Sequence, residues 1–271
     1  MMKRIIFIAA LLIGMSATMS AYENTYAIVV GVADYQNFEK GQGDLSYTIN
    51  DAQKFSEFLQ SKKGGSVPAE NVILLLDEQA TRQNIIDQAS ALFDKATKRD
   101  RVIFYFSGHG SKGKFMPYDV TLKGRNMLTY GDVKAIFRHA KCDMKLLFAD
   151  ACFSGNMRDE IKRNQELRES LQETPGKQKD NNSNMNIVVL MSCQGDETSL
   201  ELGSIEQGIF TYYLMKGLGG KANSDGNKYL TIQELFYYLY HKVQDKAAEY
   251  GRQQTPEIFG KFNLNLIVAE Y

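Results

Sequence analysis

Five short apolar runs alternate with amphipathic stretches along the chain, and this alternation limits the fold more than any other feature of the sequence. Each run is too short for a helix and is rich in β-branched or aromatic residues, which is typical of strands buried on both faces. Strands and helices in alternation predict right-handed crossovers and an α/β fold, with a mainly parallel sheet between two layers of helices. The predicted strands are Thr25 to Ala33, Asn71 to Leu76, Arg101 to Phe106, Lys145 to Ala149 and Asn186 to Met191.

The amphipathic stretches predict the covering helices. The last of them opens with Thr231 and Glu234, which have the spacing of a capping box. In open α/β sheets the functional groups lie beyond the carboxyl ends of the strands, so candidate residues are sought there. The predicted helices are Tyr47 to Ser61, Thr81 to Lys98, Thr129 to Ala140, Gln207 to Leu218 and Thr231 to Glu249.

Charge and composition limit the partners and the catalytic groups that this chain can use. The 271 residues include 32 basic and 32 acidic side chains. Without a basic surplus, we expect no nucleic-acid partner. A chain of this length buries enough core to need neither a disulfide framework nor a structural metal. Thiol or imidazole chemistry must use one of only three Cys and three His residues.

Residues 1–21 have the layout of a secretory signal peptide. A basic start is followed by an apolar run from Ile5 to Met15 and then by small residues. The run is too short to span a bilayer comfortably. We expect cleavage after Ser20 or Ala21, with a retained anchor as the alternative. The mature chain is then expected to be secreted or periplasmic, with no membrane partner.

A polar segment at about residues 157–186 interrupts the pattern. It is dense in Arg, Lys, Glu, Gln and Asn, and it buries too little apolar surface to order itself. The strand pattern resumes at Ile187. We therefore predict a flexible insertion within a single domain of residues 22–271.

Two predicted strands end in residues suited to nucleophilic chemistry. The third run leads into His109, whose two neighbours are glycines that leave room around the imidazole. The fourth run leads into Cys152. If these strands are parallel neighbours, their ends meet at one edge of the sheet and bring His109 near Cys152. A thiol and an imidazole within reach of each other form a nucleophile and its general base, the minimum for acyl transfer.

We interpret the other cysteines and histidines as structural. His139 and Cys142 lie around a helix end, His241 lies within the last helix, and Cys193 ends a strand. No pair has zinc-ligand spacing, so no metal site is predicted. In an oxidising compartment Cys142 and Cys193 either pair or stay buried.

The loop before the last helix has only a partial likeness to a calcium-binding EF-hand loop. With Gly226 at the sixth position, Lys221 occupies the first and Ile232 the twelfth. Both positions normally supply carboxylate ligands. We therefore predict no calcium site in this loop.

Taken in order, the motifs resemble those of the caspase-like cysteine peptidases, and among them the bacterial metacaspase-like members of the clan that includes gingipains and clostripains. The resemblance extends from Tyr26 to about Val268. It implies a caspase-like fold with a mainly parallel, six-stranded central sheet flanked by helices on both faces. The segments that carry it are Gly31 to Tyr35, Leu45 to Ala52, Ser107 to Gly110, Asp150 to Gly155 and Gln254 to Pro256.

The resemblance also implies a substrate pocket lined by Asp51, Ser107 and Asp150. Asp150 stands where the caspase signature has Gln, two residues before the nucleophile. Two carboxylates in one desolvated pocket repel each other unless a cation joins them, which favours peptide or protein substrates with Arg or Lys at the cleaved position. The alternatives are a helix-start carboxylate for Asp51 and a turn-bound buried carboxylate for Asp150.

The mechanism that the resemblance implies uses few groups. Cys152 attacks the scissile carbonyl and His109 transfers the protons, while the backbone N–H groups of Gly110 and Cys152 stabilise the oxyanion. No third residue that orients His109 is evident from the sequence. The residues require no cofactor. The resemblance implies calcium as an optional cofactor, but the sequence does not identify a site for it.

Self-cleavage within the insertion is a further expectation from the resemblance. Two alternatives to a peptidase stay open: a non-catalytic caspase-like binding protein, and a transpeptidase or ligase that uses the same thioester. The candidate self-cleavage residues are Arg158, Lys162, Arg163, Arg168, Lys177 and Lys179.

Overall fold

The computed structural model describes residues 21–39, 41, 43–111, 113–151, 187–195, 197–260 and 262–271. Most of the predicted signal segment lies outside these residues. Cys152, the polar insertion and all six candidate self-cleavage residues also lie outside them.

Short strands and five longer helices alternate along these residues. The strands are β1 (Thr25–Gly31), β2 (Val72–Leu76), β3 (Arg101–Ser107), β4 (Gly110–Ser111), β5 (Lys114–Phe115), β6 (Leu128–Thr129), β7 (Met144–Asp150), β8 (Ile187–Met191), β9 (Glu201–Leu202), β10 (Gln207–Gly208), β11 (Tyr229–Thr231), β12 (Glu257–Phe259) and β13 (Ile267–Glu270). The helices are α1 (Thr48–Gln60), α2 (Arg82–Phe93), α3 (Tyr130–His139), α4 (Ile209–Lys216) and α5 (Ile232–Ala248). Single helical turns lie at Lys62–Gly64, Ala69–Asn71, Asp77–Gln79 and Gly217–Lys221.

The central sheet has six strands in the order β12-β8-β7-β3-β1-β2. Five of them are parallel, and β12 pairs with β8 in the antiparallel direction. The predicted α/β fold with a mainly parallel, six-stranded sheet is therefore confirmed. The sixth strand has only three residues, too few for a hydrophobic period in the sequence to reveal it.

Alternate side chains of β3 enter two separate cores, one on each face of the sheet. Phe104 and Phe106 pack on the face that α2 and α3 cover. Ile103 and Tyr105 pack on the face that α1, α4 and α5 cover, where the Tyr105 ring stacks on Phe55 with the centroids 4.4 Å apart. Burial of each such side chain contributes roughly 1.5–3 kcal/mol, so both helical layers fix the central strands in place.

Side-chain caps decide where two of the helices begin. Thr231 accepts the amide of Glu234 while the Glu234 carboxylate accepts the amide of Thr231, which confirms the predicted capping box. Thr129 and Asp132 form the same arrangement at the start of α3.

Helix α2 ends at Phe93, five residues before the predicted end. The Asp100 carboxylate accepts the amide and the hydroxyl of Thr97, at 2.7 and 2.8 Å. Its other oxygen accepts the amide of Asn24 at 2.9 Å. Such side-chain bonds to the backbone fix a turn that competes with helix continuation.

Cys142 and Cys193 are both buried. Burial raises the pKa of the Cys142 thiol to about 11, which keeps it protonated and unreactive. In the part of the chain that the structure describes, no helix combines the length and apolar character needed to cross a membrane.

Candidate active site

The carboxyl ends of β3 and β7 meet at the edge of the sheet where the sequence predicts the catalytic residues. These strands are parallel neighbours, and Ser107 and Asp150 occupy the same level in them. One residue further, the amide of Gly108 donates to the carbonyl oxygen of Asp150 at 3.2 Å. The predicted adjacency of the strands that lead to His109 and Cys152 is therefore confirmed.

His109 is held in place through its backbone and its ring. Its amide donates to the hydroxyl oxygen of Tyr35 at 2.8 Å, and the two rings stack with centroids 5.4 Å apart. Nε2 of His109 lies 2.7 Å from the carbonyl oxygen of Gly43. Because a carbonyl oxygen only accepts, Nε2 carries the hydrogen, and the lone pair of the neutral imidazole is on Nδ1. Nδ1 is thus the atom that can take a proton.

Tyr35 and Gly43 supply the orienting contacts for which the sequence offered no candidate. Tyr35 belongs to a segment that carries the family resemblance, but nothing in the sequence gave it a role. The contact from Gly43 comes from its backbone carbonyl, so no side chain could have pointed to it. Tyr35 is buried, and this burial raises the pKa of its hydroxyl, so the phenol stays neutral beside His109.

The glycines around His109 have different surroundings. A Cβ at Gly108 would come within 2.9 Å of the Phe106 ring and 3.3 Å of the Tyr35 hydroxyl, so a side chain there would displace the ring that supports His109. Gly110 begins β4 and pairs with Phe115 of β5. Its role as an oxyanion donor stays a prediction.

The residue that precedes Cys152 is fixed between β7 and the end of β8. Ala151 donates its amide to Ser192 Oγ at 3.2 Å, and its carbonyl accepts from the same hydroxyl at 3.2 Å. Ser192 in turn donates its amide to the carbonyl of Ala149 at 2.9 Å. Cys152 itself lies outside the described residues, so its predicted place beside His109 is untested.

Asp51, Ser107 and Asp150, which the sequence assigns to one pocket, lie close together. Asp51 is only 1% exposed. It lies in the first turn of α1, yet its carboxylate points away from that helix and accepts the amide of Gly208 at 3.1 Å. The Ser107 hydroxyl donates to it at 3.3 Å, and the Gln207 side-chain amide approaches at 3.5 Å.

Asp150 is 5% exposed and is held by donors from two segments. Ser199 Oγ donates to Oδ1 at 2.8 Å. The amide and hydroxyl of Thr211 donate to Oδ2 at 3.1 and 2.8 Å. Thr211 lies in the first turn of α4, so the positive end of that helix faces the carboxylate.

The electrostatics of the two carboxylates are unfavourable in the free protein. Burial, and after it the negative charge of Asp150, raises the pKa of Asp51 well above its usual range. Burial also raises the pKa of Asp150, although its hydrogen bonds to Thr211 and Ser199 oppose the shift. The charge of Glu201 adds to both effects. None of the ion pairs in the described part of the chain involves Asp51 or Asp150.

Gln254, in the last segment of the resemblance, connects this region to the edge of the sheet. It is 1% exposed. Its Nε2 donates to the carbonyl of Ser192 at 3.0 Å, and its Oε1 accepts the amide of Leu200 at 2.8 Å. Gln254 therefore supports the Ser192–Ser199 region that contacts Asp150 and Ala151.

The described residues contain no group of three or more His, Cys, Asp or Glu side chains that could hold a metal ion. In the loop before α5, the Asp225 carboxylate accepts from Asn227, and the Glu234 carboxylate accepts from Ser224 and Thr231. These donors use the oxygens that a calcium ion would need, so this loop does not fit one. Calcium dependence stays a prediction.

Comparison with known proteins identifies the class. The caspase-domain family of peptidases, peptidase C14, matches residues 24–266, and the chain belongs to this family. Its fold is similar to that of a protein from Geobacter sulfurreducens, whose crystal structure superposes with a TM-score of 0.59 at 17% sequence identity and covers 91% of this chain and 98% of that one.

Similar curated proteins include a probable protease and fungal metacaspases. A probable protease from a Desulfuromonadales bacterium is 29% identical over 150 residues, which are 47% of this chain and 18% of that protein. Metacaspase-1 of Candida albicans is 27% identical over 158 residues, 49% of this chain and 34% of that protein. Metacaspase-1 of Schizosaccharomyces pombe is 27% identical over 153 residues, with the same shares. The chain thus spans about a third or less of the length of these relatives.

Proposed function

We propose that the protein is a cysteine endopeptidase that cleaves peptides and proteins after Arg or Lys. The observation that carries the specificity is the pair of buried carboxylates, Asp51 and Asp150, which lie beside Ser107 at the end of β3 and form no ion pair with any described residue. Burying charge without a partner costs free energy. A substrate guanidinium or ammonium group placed between the carboxylates would offset that cost, whereas an Asp side chain would increase it.

The proposed reaction is acyl transfer through a thioester. Nδ1 of His109 takes the proton of the Cys152 thiol, and the thiolate adds to the scissile carbonyl. The N–H groups of Gly110 and Cys152 stabilise the oxyanion. His109 then donates its proton to the leaving amine as the C–N bond breaks. Water attacks the thioester with His109 as base, which releases the acid and restores the thiol.

The contacts of His109 support this scheme. A general base works best when a third group fixes its tautomer and orientation. The Gly43 carbonyl does this at Nε2, and the Tyr35 hydroxyl holds the backbone of the same residue. Nδ1 is therefore the ring nitrogen left to act as the base.

A positional-scanning library of fluorogenic peptides tests the proposal. The wild-type protein should release the fluorophore after Arg or Lys, and the Cys152→Ala and His109→Ala variants should not. Full activity of Cys152→Ala would refute the mechanism. Cleavage after other residues would refute the specificity, and release of ligated instead of hydrolysed product would identify a transpeptidase or ligase.

Self-processing in the polar insertion follows from the same specificity. The insertion offers several Arg and Lys residues to a base-specific peptidase. Purified wild-type protein should run as two fragments, and Cys152→Ala as one. Mass spectrometry should place the cut after one of the six candidate residues. A single intact wild-type chain would contradict this part of the proposal.

Export with removal of the leader is also proposed, with cleavage after Ser20. The amide nitrogen of Ala21 donates to the Glu270 carboxylate at 3.1 Å. Cleavage after Ser20 would convert that nitrogen to an ammonium group opposite a carboxylate, a stronger contact than the amide makes. N-terminal sequencing of the exported protein should therefore begin at Ala21. A first residue of Tyr22, or an intact leader, would contradict it.

A further inference from the structure

Gly208 occupies a position where its backbone does not require glycine. It is the N-cap of α4, with φ −64° and ψ 138°, a conformation open to any L-residue. Ser, Thr, Asp or Asn is normally preferred at an N-cap, because the side chain accepts a first-turn amide. Neither backbone strain nor helix capping therefore accounts for the missing side chain.

The space next to Gly208 does account for it. A Cβ built on Gly208 would come within 3.0 Å of an oxygen of both Asp51 and Asp150. Real Cβ atoms do not approach oxygens that closely, so a side chain there would push the carboxylates apart or fill the space between them. The absent side chain lets both carboxylates lie against the Gly208 backbone, close to each other.

The capping that Gly208 cannot provide comes from Asp150. The amide of Thr211, the third residue of α4, donates to the Asp150 carboxylate, as it would to an N-cap side chain. The Thr211 hydroxyl donates to the same oxygen and is in turn 2.6 Å from the Tyr105 hydroxyl. Both Thr211 and Tyr105 are fully buried, so the carboxylate is oriented by a dry, rigid network.

We propose that Gly208 is a specificity-determining residue and Thr211 a positioning residue for the cation pocket. Gly208 lets the Asp51 and Asp150 carboxylates converge so that both can bind the charged end of an Arg or Lys side chain, and Thr211 fixes the Asp150 carboxylate in that arrangement. The inference rests on the proposed function, since it names the residues that give the same pocket its selectivity.

The test uses two peptides that differ only in Arg or citrulline at the cleaved position. Citrulline has the shape of Arg without its charge. For each variant the ratio of kcat/KM between the peptides is measured, together with kcat and KM separately and the rate of Cys152 alkylation by iodoacetamide. Alkylation requires no pocket, so it reports whether the nucleophile and the fold are intact.

Gly208→Ser is the decisive variant. The added side chain must displace the Asp51 and Asp150 carboxylates, so the Arg preference should fall at least about tenfold through a higher KM, while Cys152 alkylation continues at the wild-type rate. Gly131→Ala is the matched control, since Gly131 is exposed in α3 and its added Cβ would meet only Thr129 Oγ1, at 3.4 Å. It should keep the wild-type ratio.

Thr211→Val and Thr211→Ser separate positioning from packing. Val keeps the shape but removes the hydroxyl donor, so the Arg preference should fall roughly tenfold, and Ser should restore most of it. An Arg preference that survives Gly208→Ser and Thr211→Val would overturn this inference alone. The inference would also be overturned if kcat/KM fell equally for both peptides and the alkylation of Cys152 became slower. A wild-type protein with no Arg preference would overturn the proposed specificity as well.

Discussion

Asp51 and Asp150 face the same backbone position, Gly208, from two different elements of the fold. Asp51 accepts the Gly208 amide, while Asp150 accepts the amide of Thr211, three residues further along the same helix start. The first turn of α4 thus supplies donors to both carboxylates. This shared support stabilises two acids that are buried side by side and form no ion pair with any described residue.

The pH dependence of the free energy of unfolding should show the cost of ionising Asp51 beside Asp150. Asp51 has a folded pKa raised above the unfolded value of about 3.9, so the folded state holds its proton more tightly. From about pH 4 up to the raised pKa, the free energy of unfolding should therefore fall as pH rises, and it should stay lower above that range. Asp51→Asn should flatten this fall and be more stable than wild type at neutral pH.

Urea unfolding at a series of pH values checks this expectation. Asp245→Asn, which neutralises an exposed carboxylate of α5, is the control and should run parallel to wild type. The expectation fails if Asp51→Asn also runs parallel to wild type, or if it is less stable at neutral pH.

Tyr35→Phe should slow the reaction without changing specificity. The variant keeps the ring that stacks on His109 but removes the oxygen that accepts its amide. A displaced base should lower kcat by about tenfold, equivalent to about 1.4 kcal/mol in the barrier, with the Arg-to-citrulline ratio unchanged. Tyr237→Phe, at a tyrosine that is 67% exposed, should match wild type. Unchanged kcat in Tyr35→Phe would show that the contact does not orient the base.

Thr231→Ala should weaken the start of α5. The variant loses the hydroxyl that accepts the Glu234 amide and donates to its carboxylate, and it should lower the free energy of unfolding by about 1 kcal/mol. Thr231→Ser keeps the oxygen and should recover most of the loss. Equal stability of the Ala and Ser variants would show that the capping box contributes nothing.

Much of the fold could be predicted from the sequence because strands that are buried on both faces appear as continuous apolar runs. All five predicted strands and five predicted helices are present, while the register that sets Ser107 level with Asp150 is seen only in the structure. The short strands escaped prediction, since segments of two to four residues are too short to show a hydrophobic period. The early end of α2 depends on Asp100, whose partner Asn24 is distant in the sequence.

The candidate site was predictable only where side chains carry the chemistry. His109, Asp51 and Asp150 could be selected from strand ends and from the family resemblance. The Gly43 carbonyl and the α4 amides could not, because every residue has the same backbone groups and only the fold decides which of them face the site. The importance of Gly208 likewise depends on neighbours that come together only in three dimensions.

The most direct measurement of the central claim is the ratio of kcat/KM for the Arg and citrulline peptides with the wild-type protein. The two substrates differ in charge and in little else. If Asp51 and Asp150 bind the substrate cation in a desolvated pocket, the Arg peptide should be cleaved at least about a hundredfold more efficiently, since leaving one partner of a buried charge pair unmatched costs roughly 3–5 kcal/mol. Equal cleavage of the two peptides would contradict the claim.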